Sequence, residues 1–145
     1  MKKVIFLSLI IALIMASCTQ RKKSPIEGAW KIIEYGQWQI TDTSLKAMIN
    51  NGLIKIWSKD YFTFVGYFRP DTSIHQYHGA GTYTLNGNKY EEYIIYNDYK
   101  PLIGTKFKAL LEIRNDTLIQ RYNSDNADSW ELRKGYTTEK YVRLK

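Results

Sequence analysis

After residue 53 the chain alternates between apolar and polar positions with a period of two. This period is typical of β-strands that are buried on one face and solvated on the other. The clearest example spans residues 106–114, where charged side chains occupy most of one face and the other face consists of Phe107, Ala109, Leu111 and Ile113. We therefore predict a strand here with its apolar face turned inward.

The segment 61–69 alternates between phenylalanines and smaller or more polar residues. Phe is among the residues most often buried in folded proteins. We therefore expect Phe62, Phe64 and Phe68 to form an inward face of this strand.

A hairpin is predicted over residues 79–97, because two runs rich in Tyr, Thr and Ile flank Asn86-Gly87-Asn88. Asn and Gly tolerate the positive φ that tight hairpin turns require. Asn115-Asp116 marks a second turn of this kind. The repetition of short strands and turns predicts an all-β, antiparallel up-and-down β-barrel of about eight to ten strands.

One short helix is predicted after the first strand, over residues 41–52. Leu45, Met48 and Ile49 recur at helical spacing, Asp42 offers an N-cap, and Gly52 follows the last turn. Such a helix would either act as a short lid or plug or simply cover one end of the barrel.

The net charge of +7 at first suggests a nucleic-acid ligand. Five of these charges lie near the N-terminus, on Lys2, Lys3, Arg21, Lys22 and Lys23, which leaves +2 for the rest of the chain. That remainder is too small to attract a polyanion, so no nucleic-acid partner is expected.

The N-terminus has the layout of a signal peptide over residues 1–17, with a basic start and an uncharged run from Val4 to Ala16. This run is shorter than the roughly 20 residues that span a bilayer. It ends in Met15-Ala16-Ser17-Cys18, which resembles a bacterial lipobox.

The lipobox resemblance implies cleavage before Cys18, acylation of that residue by fatty acids such as palmitate, and anchoring of a lipoprotein in the membrane. Residues 18–25 would form a polar tether, and 26–145 the folded domain. Acidic residues do not follow the cysteine, which favours the outer membrane facing the periplasm. An ordinary secretory signal with an incidental cysteine is the alternative.

Gly28-Ala29-Trp30 resembles the Gly-x-Trp motif that opens the first strand of lipocalins. The stretches 81–88, 103–107 and 116–118 are also similar to the lipocalin-like domain of small, largely uncharacterised lipoproteins of Gram-negative bacteria. The resemblance implies a barrel whose base is closed by Trp30 and Arg143, with the guanidinium over the indole ring.

No constellation of residues supports catalysis, a metal site or a cofactor, so we expect a protein that is not an enzyme. His75 and His78 are the only histidines and form an incomplete zinc site. Glu91 and Glu92 point to opposite faces of a strand, so they cannot act as an acid–base pair.

A ligand cavity is the remaining hypothesis. Its lining is predicted to combine aromatic rings with two polar contacts and to consist of Phe62, Phe64, Tyr83, Tyr96, Glu92 and Gln120. Such a lining suits a small hydrophobic or amphipathic molecule, for example a fatty acid. The alternative is a filled barrel that acts as an interaction module and supports an outer-membrane protein complex through its tyrosine-rich surface.

Overall fold

The computed structural model describes residues 21, 23–39, 42–47, 52–68, 74–125 and 128–145. These residues form nine β-strands and one short 3₁₀ helix, Lys100–Leu102. The strands are β1 Gly28–Gln39, β2 Asp42–Ala47, β3 Ile54–Trp57, β4 Tyr61–Phe68, β5 His75–Asn86, β6 Lys89–Asn97, β7 Lys106–Arg114, β8 Thr117–Asn123 and β9 Tyr136–Arg143. In the described part of the chain, no helix is both long and apolar enough to cross a membrane.

Eight of these strands close into an antiparallel barrel. Each strand from β3 to β8 pairs with the next one, β1 pairs with β3, and the pairing of β1 with β9 completes the ring. Closure removes the exposed strand edges that an open meander would present to other chains. The predicted all-β up-and-down barrel is confirmed.

The ninth strand, β2, corrects the predicted helix. Residues 42–47 pair with the second half of β1 in an antiparallel arrangement, whereas residues 48–51 lie outside the described part of the chain. Strand β3 covers only residues 28–31 on that edge of β1, so the remaining backbone of β1 still needs hydrogen-bond partners. This need outweighs the weak helical spacing of residues 41–52.

One end of the barrel is closed by aromatic side chains. Trp30, Trp57, Tyr90 and Tyr141 are each at most 1% exposed, and Ile26 from the segment before β1 packs against them. The indole N–H of Trp57 donates to the Tyr90 hydroxyl at 2.7 Å, so the polar atoms of this core are paired. We refer to this end as the base.

The inward faces agree with the alternation read from the sequence. Phe62 and Phe64 are buried on β4, and Ala109 and Leu111 are buried on β7. The rings of β4 approach β5 closely because β5 carries glycine opposite them: a Cβ at Gly79 would lie 2.5 Å from the Phe64 ring.

Candidate functional site

A cavity of about 370 Å³ lies inside the barrel on the side away from the base. Its wall includes Leu53 at the start of β3 and Leu102 and Thr105 from the β6–β7 connection, which define the mouth. Deeper in the barrel the wall combines aromatic rings with charged and amide side chains from β3, β6, β8 and β9. The volume is at the lower end of the range for small-molecule sites.

The first polar group in the cavity is an ion pair between Lys55 of β3 and Glu92 of β6. Lys55 Nζ donates to Glu92 Oε1, and both side chains are only 5% exposed. The Tyr90 hydroxyl donates to the same carboxylate oxygen at 2.6 Å. A buried pair needs this kind of additional hydrogen bonding to offset the desolvation of its charges.

Aromatic rings surround the ammonium group of Lys55. Its Nζ lies 5.0 Å from the ring centroids of both Trp57 and Phe62, and 5.7 Å from that of Tyr90. Ring faces attract a cation at these distances. The Lys55 side chain is therefore held in one position by the carboxylate on one side and the rings on the other.

The second polar group is centred on Glu139 of β9. Its Oε2 accepts hydrogen bonds from the Tyr141 hydroxyl at 2.5 Å and from Gln120 Nε2 at 3.2 Å, and its Oε1 accepts one from the Tyr122 hydroxyl at 2.9 Å. Gln120 and Glu139 face each other across the β8–β9 pairing. The Oε1 atom of Gln120 is buried and has no hydrogen-bond partner among the described residues.

Burial raises the pKa of Glu139 above its ordinary value. The positive charge of Lys55 and the hydrogen bonds from Tyr141 and Tyr122 oppose this rise. Burial, and then the nearby Glu139 carboxylate, raise the pKa values of Tyr122 and Tyr141, so both hydroxyls stay protonated and act as donors.

The structure brings together three of the six predicted cavity residues. Phe64, Glu92 and Gln120 all line the cavity. Phe62 is buried nearer the base, with its ring centroid 6.4 Å from that of Phe64. Tyr83 lies at the base, where its hydroxyl donates to the carbonyl of Ser58 at 2.7 Å.

Tyr96 lies on the outside of the barrel, which corrects its predicted place in the cavity. Its side chain is 69% exposed. Gly81 pairs with Ile94 and Ala80 with Tyr96, so Ile95 is an extra residue that forms a β-bulge. A bulge shifts the alternation of side chains by one position. Glu92 and Ile94 therefore point inward before the bulge, whereas Tyr96 points outward after it.

Sequence reasoning missed Lys55 and Glu139. In Ile54-Lys55-Ile56-Trp57 the isoleucines suggest an inward face, yet Lys55 and Trp57 point inward and Ile56 is 42% exposed. The sequence did contain a signal for Glu139. The predicted contact between Arg143 and Trp30 places residue 143 on the inner face of β9, and residues 141 and 139 share that face because alternate residues of a strand point the same way.

The predicted closing residues, Trp30 and Arg143, are brought together at the base. They are direct partners in the β1–β9 pairing, and the guanidinium carbon of Arg143 lies 4.1 Å from the centroid of the Trp30 ring. The described residues contain no group of three or more His, Cys, Asp or Glu side chains that could hold a metal ion.

Two solved structures from Bacteroides are similar to this chain. A lipocalin-like protein from Bacteroides uniformis shares 15% sequence identity with a TM-score of 0.51, over 83% of this chain and 100% of that protein. An uncharacterized protein from Bacteroides eggerthii shares 13% identity with a TM-score of 0.46, over 82% and 99% of the two chains.

The first similarity supports a lipocalin-like fold for this barrel. No protein-family model and no curated protein sequence matches the chain. The function is therefore argued from the cavity itself.

Proposed function

We propose that this protein binds a small amphipathic molecule inside its barrel. The observation that supports the proposal is the cavity of about 370 Å³, whose wall combines apolar side chains with a few fixed polar groups. Binding sites for small molecules have this composition, because the apolar wall provides affinity and the polar groups fix orientation.

The proposal also makes the protein a lipoprotein of the cell envelope, which is attached to the membrane through acylated Cys18. The described chain enters the barrel at the base, where Arg143 donates to the carbonyl of Pro25 at 2.8 Å. A tether over residues 18–25 would therefore attach at the end opposite the mouth and leave the cavity accessible. We expect the full chain in the membrane fraction and a Cys18→Ala variant outside it; wild-type protein in the soluble fraction would contradict this part of the proposal.

Binding is tested with the neutral probe 3-phenylpropan-1-ol, titrated calorimetrically into the full chain in lipid nanodiscs, with empty nanodiscs as the blank. Leu53→Trp should weaken binding, because Leu53 lines the cavity and a larger side chain fills it. Leu144→Trp is the matched control, since Leu144 is 40% exposed after the last strand. Absence of binding by the folded wild type would overturn the proposal.

An apolar groove on the outer surface favours a second candidate, an interaction module that binds a partner protein. Ile56, Tyr61 and Tyr96 line this groove and are 42%, 59% and 69% exposed. Exposed aromatic side chains of this kind are enriched in protein interfaces. In this case Tyr96→Ser should abolish co-purification of an envelope protein with the full chain, whereas Leu53→Trp should not change it.

A further inference from the structure

Glu139 lines the cavity, and its hydrogen bonds leave acceptor capacity on the carboxylate. A carboxylate offers about four acceptor positions. The described residues use three, through Tyr141 and Gln120 on Oε2 and Tyr122 on Oε1. Glu139 Oε1 can therefore accept one further hydrogen bond.

Gln120 adds a second acceptor beside the first. The residue is 2% exposed, lines the cavity, and its Oε1 atom has no hydrogen-bond partner in the described part of the chain. A buried carbonyl oxygen without a donor is unfavourable, and native structures seldom retain one without a reason. A group with at least two N–H bonds would satisfy both Gln120 and Glu139.

The lysines of the cavity wall do not supply that group. Lys55 and Lys106 both line the cavity, but Lys55 is bound to Glu92 within its ring of aromatic side chains. Lys106 Nζ lies 2.9 Å from Glu91 Oε1, on the outer face of the barrel. Among the described residues, no lysine or arginine forms an ion pair with Glu139.

Aromatic side chains line the rest of the cavity. The ring centroids of Phe107 and Tyr122 are 4.6 Å apart, and those of Phe64 and Tyr77 are 4.7 Å apart; all four residues line the cavity. Such walls suit an apolar body, and their ring faces attract a cationic head group. A carboxylate head group, as in a fatty acid, would instead lie against the like charge of Glu139.

We infer that the ligand is a small primary amine with an apolar body, bound as its ammonium form between Glu139 and Gln120. This inference rests on the proposed binding function and narrows its ligand class. The ammonium group donates one hydrogen bond to Glu139 Oε1 and one to Gln120 Oε1, and the apolar body contacts the aromatic walls. Glu92 is not the counter-ion, because Lys55 already neutralises it.

The test compares three probes that share one apolar body: 3-phenylpropylamine, 3-phenylpropan-1-ol and 3-phenylpropionate. Each is titrated into the full chain in nanodiscs, in phosphate buffer at pH 7.5. We expect the amine to bind at least about tenfold more tightly than the alcohol, because hydrogen bonds to a charged group are stronger than neutral ones. The carboxylate should bind more weakly than the alcohol.

The variant Glu139→Gln should remove the preference for the amine while the alcohol still binds. Glu112→Gln is the matched control, because Glu112 lies on the outer face of β7 with its carboxylate 3.0 Å from Arg121. Gln120→Met provides a second test that does not alter the charge, and it should weaken binding of the amine more than binding of the alcohol.

Equal affinity for amine and alcohol, or a preference for the carboxylate, would overturn the inference and leave the proposed function intact. An amine preference that survives in Glu139→Gln would also overturn it. Failure of the wild type to bind any of the three probes would instead refute the proposed function.

Discussion

The guanidinium of Arg143 covers the indole ring of Trp30 at 4.1 Å and joins the last strand of the barrel to the first. Its two terminal nitrogens donate to the backbone carbonyls of Glu27 and Pro25, each at 2.8 Å. One side chain thus fixes the entry of the chain, the base of the barrel and the closing pair of strands.

Arg143→Ala should lower the free energy of unfolding by about 1–2 kcal/mol, because the cation–π contact and the carbonyl hydrogen bonds are lost. Urea unfolding followed by tryptophan fluorescence measures the change. Arg114→Ala is the control, since the Arg114 side chain is 76% exposed and its ion pair should contribute little. Equal effects of the two substitutions would show that Arg143 has no special role.

Lys55→Met should destabilise the barrel by about 3–5 kcal/mol, because it leaves the buried Glu92 carboxylate without its cation. The double variant Lys55→Met/Glu92→Gln should recover much of this loss, since neither buried charge remains. A double-mutant cycle in urea measures the coupling, with the exposed Lys31→Met as a control. Additive effects of the two single substitutions would contradict a coupled pair.

Glu139 should make the stability of the barrel depend on pH. Its pKa is raised in the folded state, so the folded protein holds this proton more tightly than the unfolded chain does. The contribution of Glu139 is therefore most favourable below the unfolded pKa and is lost as pH rises from about 4.5 through the folded pKa.

Urea unfolding of wild type and Glu139→Gln at several values between pH 4 and pH 8 should show a smaller decline for the variant. Subtracting the pH profile of the variant from that of the wild type leaves the contribution of Glu139 alone. The other titratable groups around it are present in both proteins; they are Lys55, Glu92, Tyr35, Tyr77, Tyr122 and Tyr141. Parallel pH profiles would contradict a raised pKa at this carboxyl.

Gly28→Ala should destabilise the protein by about 2–3 kcal/mol. Gly28 has φ +133°, and a Cβ there would lie 2.9 Å from Arg143 Nη1. Gly87→Ala is the matched control, because Gly87 has φ +63° with nothing within 4 Å, so only the backbone penalty of about 1 kcal/mol applies. Urea unfolding midpoints measure the destabilisation by each substitution. A larger destabilisation by Gly87→Ala than by Gly28→Ala would refute the packing argument.

Alternation within a single strand was sufficient to predict much of the barrel. It placed Phe62 and Phe64 inside β4 and Ala109 and Leu111 inside β7, and all four are buried. These positions follow the sequence because the period of a strand is local and burial of large apolar side chains dominates its orientation.

The prediction failed where a long-range interaction decides the orientation. Lys55 points inward because Glu92, on another strand, provides its counter-ion, and the apolar pattern around Lys55 gives no sign of this pair. The extra residue Ile95 turns Tyr96 outward, and strand β2 exists because β1 extends beyond β3. Each of these features depends on a neighbouring strand rather than on the local sequence.

The closing contact between β1 and β9 also sets how the chain must fold. Arg143 and Glu27 are 116 residues apart in sequence, so this contact is non-local and carries a large loop-closure cost. A circular permutant that joins the β9 end to the segment before β1, and opens the chain between Gly87 and Asn88, would make the contact local. Such a permutant should keep the barrel, and the pairing of β5 with β6, which would then be the two terminal strands, should become the non-local closing step.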